Sequence, residues 1–129
     1  MQHDPLADAL SKVKNYERAR KTEVEVGPAS KLLQNILELM LHKGYIGGFE
    51  RIEEGRGGKF KIKLIGKIND CGVIKPRFSV KHTELEKWEK RYLPAAGVGM
   101  IILSTPQGLM NNAQARERGL GGKLIAYVW

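Results

Sequence analysis

A single cysteine, Cys71, stands among 129 residues. One thiol cannot form an intramolecular disulfide, so the fold is expected to rest on its core and to belong in a reducing compartment. Long apolar runs are missing as well. No stretch approaches the roughly 20 residues needed to cross a bilayer, and Met1-Gln2-His3-Asp4-Pro5 has neither the basic start nor the apolar stretch of a secretory leader. The expectation is a soluble cytoplasmic protein with no membrane partner. Acidic residues are also in short supply, 14 against 22 Lys and Arg, for a formal charge of +8. That excess points to a polyanionic partner. On charge alone a membrane surface or a secreted basic protein would fit too, and the two preceding absences weigh against both. Internal repeats, coiled-coil heptads and low-complexity segments are absent.

What is present reads as alternating helices and strands. Asp4-Pro5 is an N-cap followed by proline at the first helical position, and Leu6, Ala9, Leu10, Val13 and Tyr16 recur at spacings of three and four, which predicts a helix to about Arg18 with that stripe buried. Glu23-Val24-Glu25-Val26 alternates as a short strand. After Gly27-Pro28, Leu32, Leu33, Ile36, Leu37, Met40 and Leu41 form the strongest helical stripe, stopped by Gly44. Residues 49–65 read as a hairpin around Gly55-Arg56-Gly57-Gly58. In its second strand Phe60, Ile62 and Leu64 share one face, so Lys59, Lys61 and Lys63 share the other. A solvated outer face is the preferred reading of those lysines, ahead of RNA binding.

The turn-rich stretch from Gly66 to Lys75 is the best candidate for a boundary. The expected class is α/β (α+β), in two small packed domains. Residues 1–66 form an N-terminal α-β-α-β-β unit, and residues 67–129 a recognition unit that is mostly β with short helices. In the second half, Pro76 to Val80 suggests an edge strand, and Thr83 to Glu86 has capping-box spacing for a helix running through Trp88 to Arg91 and ended by Pro94. Val98 to Leu103 reads as a buried strand, broken at Ser104-Thr105-Pro106-Gln107-Gly108 by a tight turn. Asn111 or Asn112 then caps a helix over Ala113 to Arg118, and Gly119 and Gly121-Gly122 lead into a last strand, Lys123 to Trp129, packed in a sheet.

Residues able to do covalent or metal chemistry are poorly arranged. His3, His42, His82 and Cys71 lack the paired spacings of a zinc site. Neither Ser104 nor Cys71 has the surroundings of an activated nucleophile. Gly55 to Lys59 and Gly121-Gly122-Lys123 lack the Lys-Ser/Thr pair and following helix of a nucleotide loop, and read as hairpin turns. Glu53-Glu54 beside a turn is not read as an acid/base pair. No enzyme activity, cofactor or small-molecule substrate is expected. The segment Gly99 to Gly108 stands apart, because it sets Ser104, Thr105 and Gln107 on a rigid turn after a buried strand. Short hydroxyl and amide groups can meet the 2′-hydroxyls and base edges of the wide A-form minor groove, or they can simply bond their own backbone in the turn. The residues alone leave the two readings even.

Gly99-Met100-Ile101-Ile102-Leu103-Ser104-Thr105-Pro106-Gln107-Gly108-Leu109-Met110 resembles the signature of small-subunit ribosomal protein eight. Asp4 to Leu10, Ser30-Lys31-Leu32 and the ending Gly121-Gly122-Lys123 to Trp129 resemble the same family, in order, across nearly the whole chain. Trp88-Glu89-Lys90-Arg91-Tyr92-Leu93-Pro94 is similar to the archaeal and eukaryotic branch, and the lack of long extensions favours the archaeal one. The resemblance implies a two-domain α/β protein of the ribosome that binds the central domain of small-subunit ribosomal RNA early in assembly, beside neighbouring small-subunit proteins. It also implies an alternative role as a translational repressor on a messenger site resembling the ribosomal one. By similarity, RNA contact falls on Ser104, Thr105, Pro106, Gln107 and Gly108, on Gly121, Gly122 and Lys123 facing them, and on Ser30 and Lys31 in the N-terminal half. The family often has serine where this chain has Pro106, which removes a hydroxyl there and leaves the ring to stack on a base.

Overall fold

In the computed structural model of the chain, which describes residues 4–129, the Asp4 carboxylate accepts the Ala7 N–H at 3.1 Å and opens helix α1, Pro5–Arg18. The mixed α+β class expected above is the one adopted. The chain divides into two compact units, the first ending at Asp70 and the second spanning Cys71–Trp129.

The first unit continues with strand β1 (Glu23–Val26), helix α2 (Lys31–His42) and strands β2 (Ile46–Ile52) and β3 (Lys59–Leu64). The strands form an antiparallel sheet in the order β1-β3-β2. Val24, Val26, Ile46, Phe60, Ile62 and Leu64 are buried, as are Leu6, Ala9, Leu10 and Val13 of α1 and Leu33, Ile36, Leu37 and Met40 of α2. Of the expected stripes, Leu32 is half-buried and two residues are exposed. Tyr16 is 36% exposed and Glu17 takes the inward position at 9%, because at 3.6 residues per turn position 17 falls nearer the centre of the Leu6-Leu10-Val13 stripe than position 16 does. The buried Glu17 carboxylate is satisfied by the Ile68 N–H at 3.0 Å. Leu41 is likewise exposed, since it sits roughly a quarter-turn from the centre of its stripe.

The second unit contains β4 (Cys71–Val73), β5 (Ser79–Val80), a 3-10 turn (His82–Glu84), α3 (Leu85–Tyr92), β6 (Met100–Thr105), β7 (Gly108–Asn111), α4 (Asn112–Arg118) and β8 (Gly122–Val128). Its antiparallel sheet runs β4-β8-β6-β7, with β5 also paired to β8. Ile101 and Leu103 of β6, Met110 of β7 and Leu124 of β8 pack in one cluster with Leu85 and Trp88 of α3 and Ala115 of α4. Met100 and Ile102, on the other face of β6, are buried too.

Three expectations need correction here. The Thr83 capping box does not form: Glu84, not Glu86, reaches back, accepting the Lys81 N–H at 2.9 Å, so the chain makes a 3-10 turn first and α3 begins at Leu85. Leu93 then takes an extended conformation (φ −109, ψ 148) and ends α3, as a residue before proline must. Of the edge strand expected over Pro76 to Val80, only Ser79–Val80 pairs. Finally, β6 begins at Met100 and does not break at Ser104. It continues through Thr105 because β7 and β8 flank it on both sides, with Ser104 opposite Leu109 and Lys123 and Thr105 opposite Gly108. Val98, outside the strand, is 45% exposed.

Candidate functional site

Strands β6 and β7 leave only Pro106 and Gln107 between them, so the 104–108 segment is the tip of a two-residue hairpin. The tip is held from inside. Thr105, 8% exposed, donates its hydroxyl proton to the Gly108 carbonyl at 2.7 Å and accepts the Gln107 N–H at 3.2 Å. Its single donor is therefore spent within the turn. Thr105 shapes the hairpin, whereas Ser104, Pro106, Gln107 and Gly108 are exposed. Gly108 has φ +111, a conformation that side chains disfavour.

The first residues of β8 lie directly beside this tip. Ser104 is the cross-strand neighbour of Lys123, which puts their side chains on the same face. A Cβ on Gly122 would stand 2.1 Å from the Ser104 carbonyl oxygen, and one on Gly121 would stand 2.4 Å from the Val80 oxygen. Both glycines are thus required by the close approach of β5, β6 and β8 backbones, and not by a phosphate cradle. Of the two glycine-rich stretches expected as hairpin turns, Gly121-Gly122 is instead the entry to a strand, and Gly55 to Gly58, with φ +68 at Gly55 and +80 at Gly57, forms such a turn.

The structure thus brings Ser104, Pro106, Gln107, Gly108, Gly122 and Lys123 to one end of the second unit. Among the described residues, the side chains of Ser104, Gln107 and Lys123 have no hydrogen-bond or ion-pair partner. Two polar groups and one cation are free on a backbone held by strand pairing and the Thr105 bonds. Ser30 and Lys31 belong to the first unit. The Ser30 hydroxyl caps α2 by accepting the Leu33 N–H at 3.1 Å, and Lys31 is exposed at the first position of the helix.

Sequence reasoning missed the support beneath the hairpin. Asn111 caps α4, accepting the Gln114 N–H at 2.9 Å, while its own N–H is bonded to the Gln114 side chain at 3.0 Å. The adjacent Asn112, 7% exposed, accepts the Ile101 N–H at 3.0 Å and donates to Glu89, which also binds Arg116. This polar network ties β6, α3 and α4 together at the root of the hairpin. The signal was the doubled asparagine, of which a helix cap needs only one.

Other candidates resolve into structural roles. Glu53 pairs with Arg51 at 2.6 Å, and Cys71 is buried. Among the described residues no group of three His, Cys, Asp or Glu converges as a metal site; His3 lies outside those residues. No helix among them is long and apolar enough to cross a membrane. The lysine face of β3 is neutralised in place: Glu25 and Glu50 flank Lys61, and Glu23 is opposite Lys63 and bonded to Lys61 at 3.0 Å. That bond and the Glu23 charge push the Lys61 ammonium above its ordinary range. The shallow 480 Å³ groove on this face mixes both signs of charge around Phe49, a poor match for a polyanion. A family model, Ribosomal protein S8, matches residues 4–129.

Proposed function

The chain belongs to the ribosomal protein S8 family, a family of small-subunit, RNA-binding structural components of the ribosome and not of enzymes, and on that premise we propose that it binds the central domain of small-subunit ribosomal RNA directly and helps to assemble it. The second unit is its recognition domain. The observation that carries this reading is the hairpin tip: Ser104 and Gln107 exposed and free, Lys123 beside them, and the backbone fixed by the inward hydroxyl of Thr105. Ser104 and Gln107 meet 2′-hydroxyls and base edges in a minor groove, Pro106 stacks, and Lys123 neutralises a phosphate. Because the tip is already ordered, little conformational entropy is lost on binding.

Lys31, at the N-terminus of α2, adds a backbone contact from the first unit, and the backbone N–H groups at Ser30 assist it. The protein works in cytoplasmic ribosomes beside other small-subunit proteins, and the likeness of Trp88 to Pro94 to the archaeal and eukaryotic branch supports assigning it to that branch.

Titration tests the reading. A transcript of the central domain is expected to bind more tightly than an unrelated RNA duplex at every salt concentration, the two lines of log affinity against log salt running nearly parallel. Ser104→Ala with Gln107→Ala should narrow the gap and leave the slopes alone. Coincident wild-type lines would reduce the protein to a non-specific polycation and remove the hairpin from its role.

A further inference from the structure

Two cations on α3 lie against aromatic rings and have no carboxylate partner among the described residues. The Lys87 ammonium lies 5.6 Å from the centre of the Trp88 ring, and the Arg91 guanidinium lies 5.3 Å from the same ring and 6.0 Å from that of Tyr92. The rings form a row: Phe78 to Trp88 at 4.8 Å, Trp88 to Tyr92 at 6.4 Å and Tyr92 to Tyr127 at 5.5 Å. Trp88 is part of the buried cluster of the second unit, so the surface on which the cations rest is rigid. A cation already held against a ring has less freedom left to lose when it binds an anion.

The carboxylates of this region are engaged elsewhere. Glu86 pairs with Lys90 at 3.5 Å, Glu89 binds Arg116 and Asn112, and Glu84 accepts the Lys81 N–H. Among the described residues neither Lys87 nor Arg91 has an ion-pair partner. Both are exposed and stand one helical turn apart.

We propose that this face of α3 is a phosphate-binding surface for the RNA backbone, additional to the β6–β7 hairpin, with Lys87 and Arg91 each neutralising a phosphate. The proposal rests on the RNA-binding reading above and adds a second area of contact to it. The row of rings follows β8: Phe78, stacked on Trp88, accepts the Leu124 N–H at 2.9 Å next to the hairpin flank, and Tyr92 stacks on Tyr127 three residues further along that strand, about 10 Å at the rise of a strand, so α3 extends the hairpin's surface along the sheet. An acidic protein segment would meet the same charges, yet the core of a protein interface needs exposed apolar surface, and none of the exposed large hydrophobic residues, Tyr16, Leu41, Ile65 and Val98, is on α3.

Salt dependence decides it, measured on the full protein with a transcript of complete small-subunit ribosomal RNA and with an unrelated duplex. Lys87→Gln and Arg91→Gln should each flatten the slope of log affinity against log salt by about one on both RNAs, as for one lost phosphate contact. Arg91→Lys should restore most of it, and Lys90→Gln, whose charge is matched by Glu86, should flatten it by less than half as much. Should Arg91→Gln unfold, Lys87→Gln and Arg91→Lys still carry the test. Slopes for Lys87→Gln no flatter than for Lys90→Gln would overturn the proposal, as would cross-links from Lys87 in assembled subunits that reach only protein. Loss of preference for the ribosomal transcript by the wild-type protein would instead sink the hairpin reading, and the slopes on the duplex would still decide the role of α3.

Discussion

The two units carry their charge differently. Up to Asp70 the chain has thirteen Lys and Arg against ten Asp and Glu, and from Cys71 it has nine against four. On the outer face of the first sheet each lysine of β3 except Lys59 faces a glutamate across the strands. In the second unit Lys87, Arg91 and Lys123 have no such partners among the described residues. A row of lysines at strand spacing is therefore no guide to an RNA surface. On the proposed reading, the cations that count are those free of carboxylates and held against aromatic rings on α3 or on a strand ladder at Lys123.

The comparison can be broken in several ways. Leu37, fully buried in the first unit, should cost about 2–5 kcal/mol when changed to Ala, the usual range for a truncated core leucine. Urea unfolding measures this, and the folded fraction should keep its preference for the central-domain RNA. Loss of that preference in fully folded protein would mean that the first unit shares in recognition. Gly122→Ala drives a methyl group into the Ser104 carbonyl and should destabilise the second unit by about 1–3 kcal/mol, while abolishing the difference between specific and non-specific RNA. A variant with wild-type stability and binding would show that β8 and β6 do not approach as closely as described.

Thr105 separates shape from contact. Thr105→Val removes both turn hydrogen bonds and should cost about 1 kcal/mol, and it should narrow the gap between the two RNAs, whereas Thr105→Ser retains the hydroxyl and should bind nearly as wild type. Equal binding by the valine variant would mean that the turn needs no support from the side chain. The smallest effect belongs to Lys61→Gln, which should leave the salt slope of RNA binding unchanged because its charge is already matched by Glu23. A slope flatter by about one would make the β3 face an RNA surface after all.

Most elements were legible because periodicity and caps report local geometry. The centre of the α2 stripe, the alternation of β1 and β3 and a cap at one of the two candidate asparagines, Asn111, all appear where the residues put them. The inner and outer sides of the hairpin tip were not legible. Met100 to Leu103 is apolar throughout and buried on both faces, so the period of two that assigns sides elsewhere carries no signal there. Only the pairing of β6 with β7 turns Thr105 inward and leaves Ser104 exposed. The resemblance assigns RNA contact to both Ser104 and Thr105, and it carries no information on that alternation. The short strands β4 and β7 were invisible for a related reason, since three or four residues are too few to show a period.

By itself the sequence determined the class of fold, the excess of positive charge and the family, because each is written in composition, local spacing or an ordered set of motifs. Tertiary structure alone decided which charges remain available and which hydroxyl is free. Those depend on partners distant in the chain: Glu23 with Lys61, Asn112 with Glu89, Gly122 with Ser104. Electrostatic neutralisation and steric contact act across a few ångströms of space, and sequence separation says little about that distance.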